Sequence, residues 1–190
     1  MDQANQYLAS TLRQLRQHRG WSLDRTAQET GVSKAMLGQI ERGESSPTIA
    51  TLWKIAGGFH CSLSTFLDTP QGSLSAEIRT IAELRQRPAQ DEMLVAPLFP
   101  FNIEQGFEWF ELSLPPGYER LSEPHECGVT EYVVVLKGSI ELFIDQQWLK
   151  LETGNALRFA ADQPHGYRNR NETQAVFHNL IRYPDKAKQA

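Results

Sequence analysis

The chain has 190 residues, 40% of them hydrophobic and 22% charged, which is the balance of a folded globular protein and excludes wholesale disorder. A net charge of −4 excludes a uniformly basic coat for nucleic acid but leaves room for a local cationic face. Two cysteines, Cys61 and Cys127, are too few for a disulfide scaffold, and neither a secretory leader nor an apolar run of roughly 20 residues is seen, so a cytoplasmic protein with no membrane attachment is expected.

In chain order, Leu8, Leu12 and Leu15 recur at helical spacing, and Gly20 closes that segment. Ser22 is placed to cap a second helix running to Thr30, with Gly31 ending it. Ser33 caps a third, Lys34 to Glu41, and Pro47-Thr48 opens a fourth that carries Ile49, Leu52, Ile55 and Ala56 on one stripe. A last turn, Ser62 to Leu67, completes five short helices around a small apolar core. Ala27, Gly31 and Val32 have the spacing of a tight helix-turn-helix, in which a small residue lets the helices approach and glycine takes the positive φ of the turn. With Val32, Leu37 and Ile40 turned inward, Ser33, Lys34, Ala35, Met36, Gln39 and Arg42 face outward. Such a set suits the major groove of a double-stranded DNA operator: Gln bonds adenine, Ala and Met meet a thymine methyl, Lys and Arg reach guanine or phosphate. A module that merely solvates this face, or that binds protein, is the alternative.

The run Gly31-Val32-Ser33 through Ile40-Glu41-Arg42-Gly43, followed by Ser46-Pro47-Thr48-Ile49 and Thr51-Leu52-Trp53-Lys54-Ile55-Ala56, resembles the Xre/Cro-repressor family of DNA-binding domains over residues 6–68. Leu23 departs from the family, which commonly has a DNA-contacting Gln there.

Residues 69–94 read as a linker: Thr69 to Ser75 is rich in Gly, Pro and Ser, and Ala76 to Leu84 fits either a helix or an edge strand. Beyond, short apolar stretches separated by turn residues read as strands: 107–114, 131–136, 140–144, 148–151, 156–159 and 175–181. Many strands without helices imply a β-sandwich or barrel. The domains are then 1–68, all-α helix-turn-helix; 69–94, linker; and 95–190, all-β.

Within the second domain His125 and Cys127 are two apart, so on a strand they share a face, with Glu131 close behind and His165 further on. Gly117, His125, Cys127, Glu131 and Gly138, then Gly154, Pro164, His165 and Asn169, resemble the two motifs of the cupin superfamily, a double-stranded β-helix or jelly-roll barrel, over roughly residues 95–183. Cys127 stands where the family usually has a second His. His125, Cys127, Glu131 and His165 could complete a tetrahedral site for a divalent metal, and the thiolate favours zinc first and iron second. The alternative is an inert thiol and a cupin without metal. Tyr118, Arg120, Val133, Phe143, Tyr167 and Phe177 are candidates for lining an effector pocket, and an inward Arg120 could clamp a carboxylate. His178 could face either way.

The whole plan resembles Xre-type regulators with a C-terminal cupin domain. That resemblance implies a homodimeric transcriptional regulator, not an enzyme, whose barrel binds a small-molecule effector at or beside the metal. An amino acid is the first candidate class, a sulfur-containing one in particular. The rival reading is a metal-dependent cupin enzyme, like a non-haem iron dioxygenase, fused to a DNA-binding head; it becomes credible if Cys127 turns away from the metal.

Overall fold

The structure is a computed structural model and describes residues 3–68, 76, 78–86 and 91–184. The proposed link Thr69–Ser75 lies outside the described residues. The chain forms two compact units, an N-terminal helical one and a β-rich one.

The helical unit contains α1 (Gln3–His18), α2 (Leu23–Thr30), α3 (Lys34–Glu41), α4 (Ile49–Phe59) and a 3-10 turn (Leu63–Phe66). Two of these elements begin at the hydroxyl caps the sequence predicts, Ser22 and Ser33, and α4, expected to open at Pro47-Thr48, has Thr48 as its cap. Ser22, Ser33 and Thr48 accept from the backbone N–H groups of Arg25, Met36 and Thr51, satisfying donors that a helix start leaves open. Gly31 ends α2 with φ 67°, a left-handed conformation that costs a side-chain-bearing residue energy. The apolar stripes converge on Leu12, Leu37, Ile40, Leu52 and Ile55, all fully buried. Arg16 fixes α3 against α1 through a bidentate pair with Glu41, Nε to Oε1 at 2.6 Å and Nη2 to Oε2 at 2.8 Å.

Contact between α2 and α4 is closer than the sequence reading anticipates. A Cβ placed on Gly58 would lie 2.7 Å from the Glu29 carbonyl oxygen and 2.8 Å from Thr30 Cα. These are backbone atoms that cannot step aside, so α4 needs hydrogen there. The adjacent Gly57 has nothing within 4 Å of the same position.

The β-rich unit begins with one helical turn, α5 (Ile81–Leu84), which decides between helix and edge strand for that part of the segment. Among the described residues nine strands follow: β1 (Leu94–Asn102), β2 (Phe107–Leu114), β3 (Glu119–Ser122), β4 (Thr130–Lys137), β5 (Ser139–Ile144), β6 (Gln147–Glu152), β7 (Ala156–Ala160), β8 (His165–Arg168) and β9 (Ala175–Arg182). They form an antiparallel five-stranded sheet, β1-β2-β9-β4-β7, and an antiparallel four-stranded sheet, β3-β8-β5-β6. Six of the nine strands coincide with the apolar stretches read from the sequence; β1, β3 and β8 do not. β1 is an edge strand holding Pro97 and Pro100, and its pairing with β2 shifts register twice, between Pro97 and Phe99 and between Phe99 and Asn102.

Period-two alternation sorts side chains inward and outward. On β4, Glu131, Val133 and Val135 are buried while Tyr132, Val134 and Leu136 are exposed. On β9, Phe177, Asn179 and Ile181 are buried, and on β8 His165 and Tyr167 are. The two sheets meet through these residues, as the stacking of Tyr167 on Phe177 at 5.2 Å between ring centroids records. Among the described residues no helix is long and apolar enough to cross a membrane.

The two glycines of α4 make opposite predictions. Gly58→Ala is expected to destabilise the helical unit by about 1–3 kcal/mol through overpacking. Gly57→Ala is expected to be neutral or to stabilise by up to about 1 kcal/mol through helix propensity. Urea denaturation followed by helical circular dichroism measures both, and equal effects would contradict the close approach.

Candidate functional site

On the helical unit, Ser33, Lys34, Ala35, Met36, Gln39 and Arg42 are all exposed, and Val32, Leu37 and Ile40 are buried beneath them. α3 therefore presents the polar face that its sequence predicts. Lys34 pairs with Asp24 at 2.8 Å, and Arg42 makes a bidentate pair with Glu44 at 2.8 and 2.7 Å. All four side chains are more than half exposed, so these pairs are weak and exchangeable. Leu23 packs inward, its Cδ1 lying 3.8 Å from where a Cβ of Gly38 would stand, at the junction of α2 and α3.

In the β-rich unit one donor atom from each of His125, Glu131 and His165 lies within 4.8 Å of the others. β4 delivers Glu131 and β8 delivers His165, so the cluster spans both sheets; His125 comes from the segment between β3 and β4 and is anchored by its backbone N–H donating to the Ala161 carbonyl at 2.9 Å. The Glu131 carboxylate is satisfied at both oxygens. Oε1 accepts from His125 Nε2 at 2.7 Å and sits 3.6 Å from His165 Nε2. Oε2 accepts from Asn179 Nδ2 at 2.9 Å and from the Tyr167 hydroxyl. The His165 and Glu131 side chains are each 2% exposed and that of His125 9%.

Electrostatics follow from that burial. Burial alone pushes the Glu131 carboxyl upward, but the hydrogen bond and charge of His125, the charge of His165 and the Tyr167 hydroxyl together hold it down at about 2. His165 is lowered: desolvation outweighs the pull of Glu131 and of its bond to the Gln163 carbonyl. Tyr167 is pushed well up, by burial first and then by the negative charge of Glu131. His165 Nδ1 lies 2.9 Å from the Gln163 carbonyl oxygen, which only accepts, so Nδ1 carries the proton and Nε2 keeps its lone pair toward Glu131. Two imidazoles and one ionised carboxylate, buried and preoriented, fit a divalent cation. An ion there would displace the proton that His125 donates to Glu131.

Cys127 is not brought into this cluster. The shared-face expectation for His125 and Cys127 requires an extended chain, yet residues 126–128 form a turn closed by Val129 N–H donating to the Glu126 carbonyl at 3.1 Å, with Gly128 at φ 84°. The thiol is exposed at that turn. Without it, the softness argument for zinc over iron falls away, and the three remaining donors would not by themselves close a four-coordinate site.

The pocket candidates divide. Val133, Tyr167 and Phe177 are buried on inward faces, although Tyr167 is engaged by Glu131. Arg120 lies opposite Tyr167 in the β3–β8 register and alternates with Leu121, which is 61% exposed, so it points inward. Tyr118 is buried just before β3. Phe143 faces the other way: Leu142, its neighbour, is opposite Tyr167 and fully buried, while Phe143 packs on Trp148, whose ring carries the Arg168 guanidinium at 3.9 Å. His178 also faces outward, edge-on to Trp109 and opposite Glu111, and burial lowers it. The residue that the sequence reading missed is Asn179. Its signal was present: a carboxamide at an inward position between Phe177 and Ile181 has no reason to be there unless something polar awaits it. Asn169, from the second motif, has a structural task instead, its Nδ2 donating to the carbonyls of Leu114, Pro115 and Thr173.

Comparison with known proteins agrees with both halves. A helix-turn-helix family model matches residues 12–66 and a cupin-domain model matches residues 110–181. The HTH-type transcriptional regulator SutR of Escherichia coli K12 is 48% identical over 184 residues, covering 97% of this chain and 99% of that protein. The HTH-type transcriptional regulator PuuR of the same organism is 25% identical over 162 residues, covering 83% of this chain and 85% of that protein. A crystal structure of an HTH_3 family transcriptional regulator from Vibrio cholerae superposes with a TM-score of 0.80 at 46% identity, covering 95% of this chain and 97% of that one. With near-complete coverage and an exposed α3 joined in one chain to a cupin fold, this protein belongs to the HTH-type transcriptional regulators that combine an Xre-type helix-turn-helix with a cupin domain.

Proposed function

We propose that this transcriptional regulator senses a small metabolite in its cupin domain, at or beside a divalent metal held by His125, Glu131 and His165. The observation that carries the reading is the buried, preoriented donor cluster in a chain whose other unit is a DNA-reading module. An amino acid or similar small carboxylate is the effector class, with a sulfur-containing amino acid first. The protein works in the cytoplasm as a homodimer on a double-stranded operator, two α3 helices entering half-sites about 34 Å apart. Ser33 and the N-terminal amides of α3 hold a phosphate; Lys34, Ala35, Met36, Gln39 and Arg42 meet base edges or backbone. The bound metal, zinc or iron, supplies a Lewis acid and a charge inside the barrel. Around it Asn179 and Tyr167 keep Glu131 turned toward the imidazoles, and the effector acts by binding one arrangement of the dimer better than another.

A second reading is favoured by the exposure of Cys127. Two histidines and a carboxylate with open positions are the donor set of non-haem iron oxygenases, so a dioxygenase-like activity would be accommodated. Kinship with named transcriptional regulators weighs against it. Oxygen consumption by the iron-loaded protein, supplied with candidate amino acids, separates the two.

Two outcomes test the main reading. Against an operator selected from random DNA, Gln39→Ala and Arg42→Ala are each expected to weaken binding by about 5- to 150-fold, the worth of a base or strong phosphate contact, without changing the circular dichroism spectrum. Undiminished binding would remove α3 as the reading element. Metal analysis of protein expressed with zinc and iron is expected to give about one equivalent per chain, lost in His165→Ala and retained in Cys127→Ser. Metal-free wild type would remove the metal, and loss in Cys127→Ser would return the thiol to the site.

A further inference from the structure

Among the buried side-chain atoms of the described residues that lack a hydrogen-bond partner are Nε of Arg120 and Oδ1 of Asn179. Asn179 is 4% exposed, and its amide cannot turn over to relieve the mismatch. Its Nδ2 donates to Glu131 Oε2 at 2.9 Å, and a flipped amide would set oxygen against that carboxylate. Oδ1 is therefore an acceptor awaiting a donor. Arg120 is the reverse case, a donor awaiting an acceptor. Its guanidinium is permanently charged, and no carboxylate among the described residues pairs with it.

The two groups are neighbours of one side chain. Arg120 stands opposite Tyr167 across β3 and β8, and Asn179 Nδ2 lies 3.4 Å from the Tyr167 hydroxyl. The positive charge of Arg120 is felt at both Tyr167 and His165. Ser122, two residues along β3 and so about 7 Å away, is the position opposite His165. A molecule that satisfies Arg120 and Asn179 together therefore lies beside the His125, Glu131 and His165 cluster.

Chemistry then narrows the class. A buried guanidinium N–H is best answered by a carboxylate, and a buried amide oxygen by an N–H or ammonium donor. A simple anion would leave Asn179 unsatisfied, at the cost of a buried acceptor without a partner. A simple cation would meet the charge of Arg120. We propose that Arg120 and Asn179 are the two ends of a subsite for a small zwitterion, an α-amino acid whose carboxylate meets Arg120 and whose amino group meets Asn179. This assignment rests on the sensing role proposed above and names the two chain groups that would select the effector.

The test uses full-length protein supplied with zinc or iron, and thermal unfolding as the readout. Three sets of probes are compared at millimolar concentration: the common L-α-amino acids; the amines that lack their carboxylates, such as cysteamine for cysteine; and the acids that lack their amino groups, such as 3-mercaptopropionate. At least one amino acid is expected to raise the unfolding temperature, with its amine and acid counterparts binding about tenfold or more weakly by calorimetry. Arg120→Gln, at a position that supplies no donor to the His125, Glu131 and His165 cluster, is expected to keep its metal content and to erase the preference for the amino acid over the amine. Stabilisation by amines alone or acids alone would overturn the zwitterion while leaving the sensing role in place. No stabilisation by any of the three sets would overturn both. Unchanged amino-acid affinity in Arg120→Gln would remove Arg120 from the subsite, and should that variant not fold, the comparison of probes on the wild type decides alone.

Discussion

The β-rich unit depends on how one buried carboxylate is held. Glu131 is almost wholly removed from water, a position in which a lone carboxylate would take up a proton. Each of its oxygens instead has company: His125 and His165 at one, Asn179 and Tyr167 at the other. Opposite charge and hydrogen-bond donation thus outweigh desolvation, and the group remains anionic at any ordinary pH. A charge kept in the interior by this means is expensive to assemble.

Its partners come from different strands, and this ties the chemistry of the cluster to the pairing of the sheets. Glu131 belongs to β4 and Asn179 to β9, which are neighbours in the five-stranded sheet, whereas His165 and Tyr167 belong to β8 in the other sheet. Gly166 lies between the latter two, and a Cβ there would stand 2.5 Å from the Arg120 carbonyl oxygen. The absence of a side chain at that one position lets β3 close on β8, which brings Arg120 alongside Tyr167. Sheet register, more than local sequence, sets the geometry of the interior.

How much of this is legible in the sequence depends on the range of the interactions involved. The helical unit is written locally: Ser22, Ser33 and Thr48 announce helix starts, Gly31 announces a turn, and the inward and outward sides of α3 follow from the spacing of Val32, Leu37 and Ile40. What escaped there was the contact at Gly58, because a missing Cβ signals nothing until the partner helix is in place. In the β-rich unit His125, Glu131 and His165 are legible as a set, since three metal-capable residues at motif spacing survive ignorance of the exact path. Cys127 fails because period-two reasoning was applied to a turn. Phe143 fails by a single step of register: Leu142 holds the inward position. β3 and β8, four residues each, are too short to show alternation, and the prolines of β1 argue against a strand unless one knows that it lies at an edge.

Those same prolines bear on how the protein behaves when crowded. An exposed sheet margin offers a template on which another extended chain can add itself, and such growth is the first step toward insoluble fibrils. Along β1, Pro97 and Pro100 each lack a backbone N–H, and the two breaks in register interrupt the regular ladder that an incoming segment would have to match. The β2 side is already occupied, and on the other side Gln86 takes up Val95 through two backbone hydrogen bonds, so only the rest of this proline-broken margin remains for a stranger. The irregularity of β1 thus doubles as a safeguard of solubility, ending the sheet where it should end.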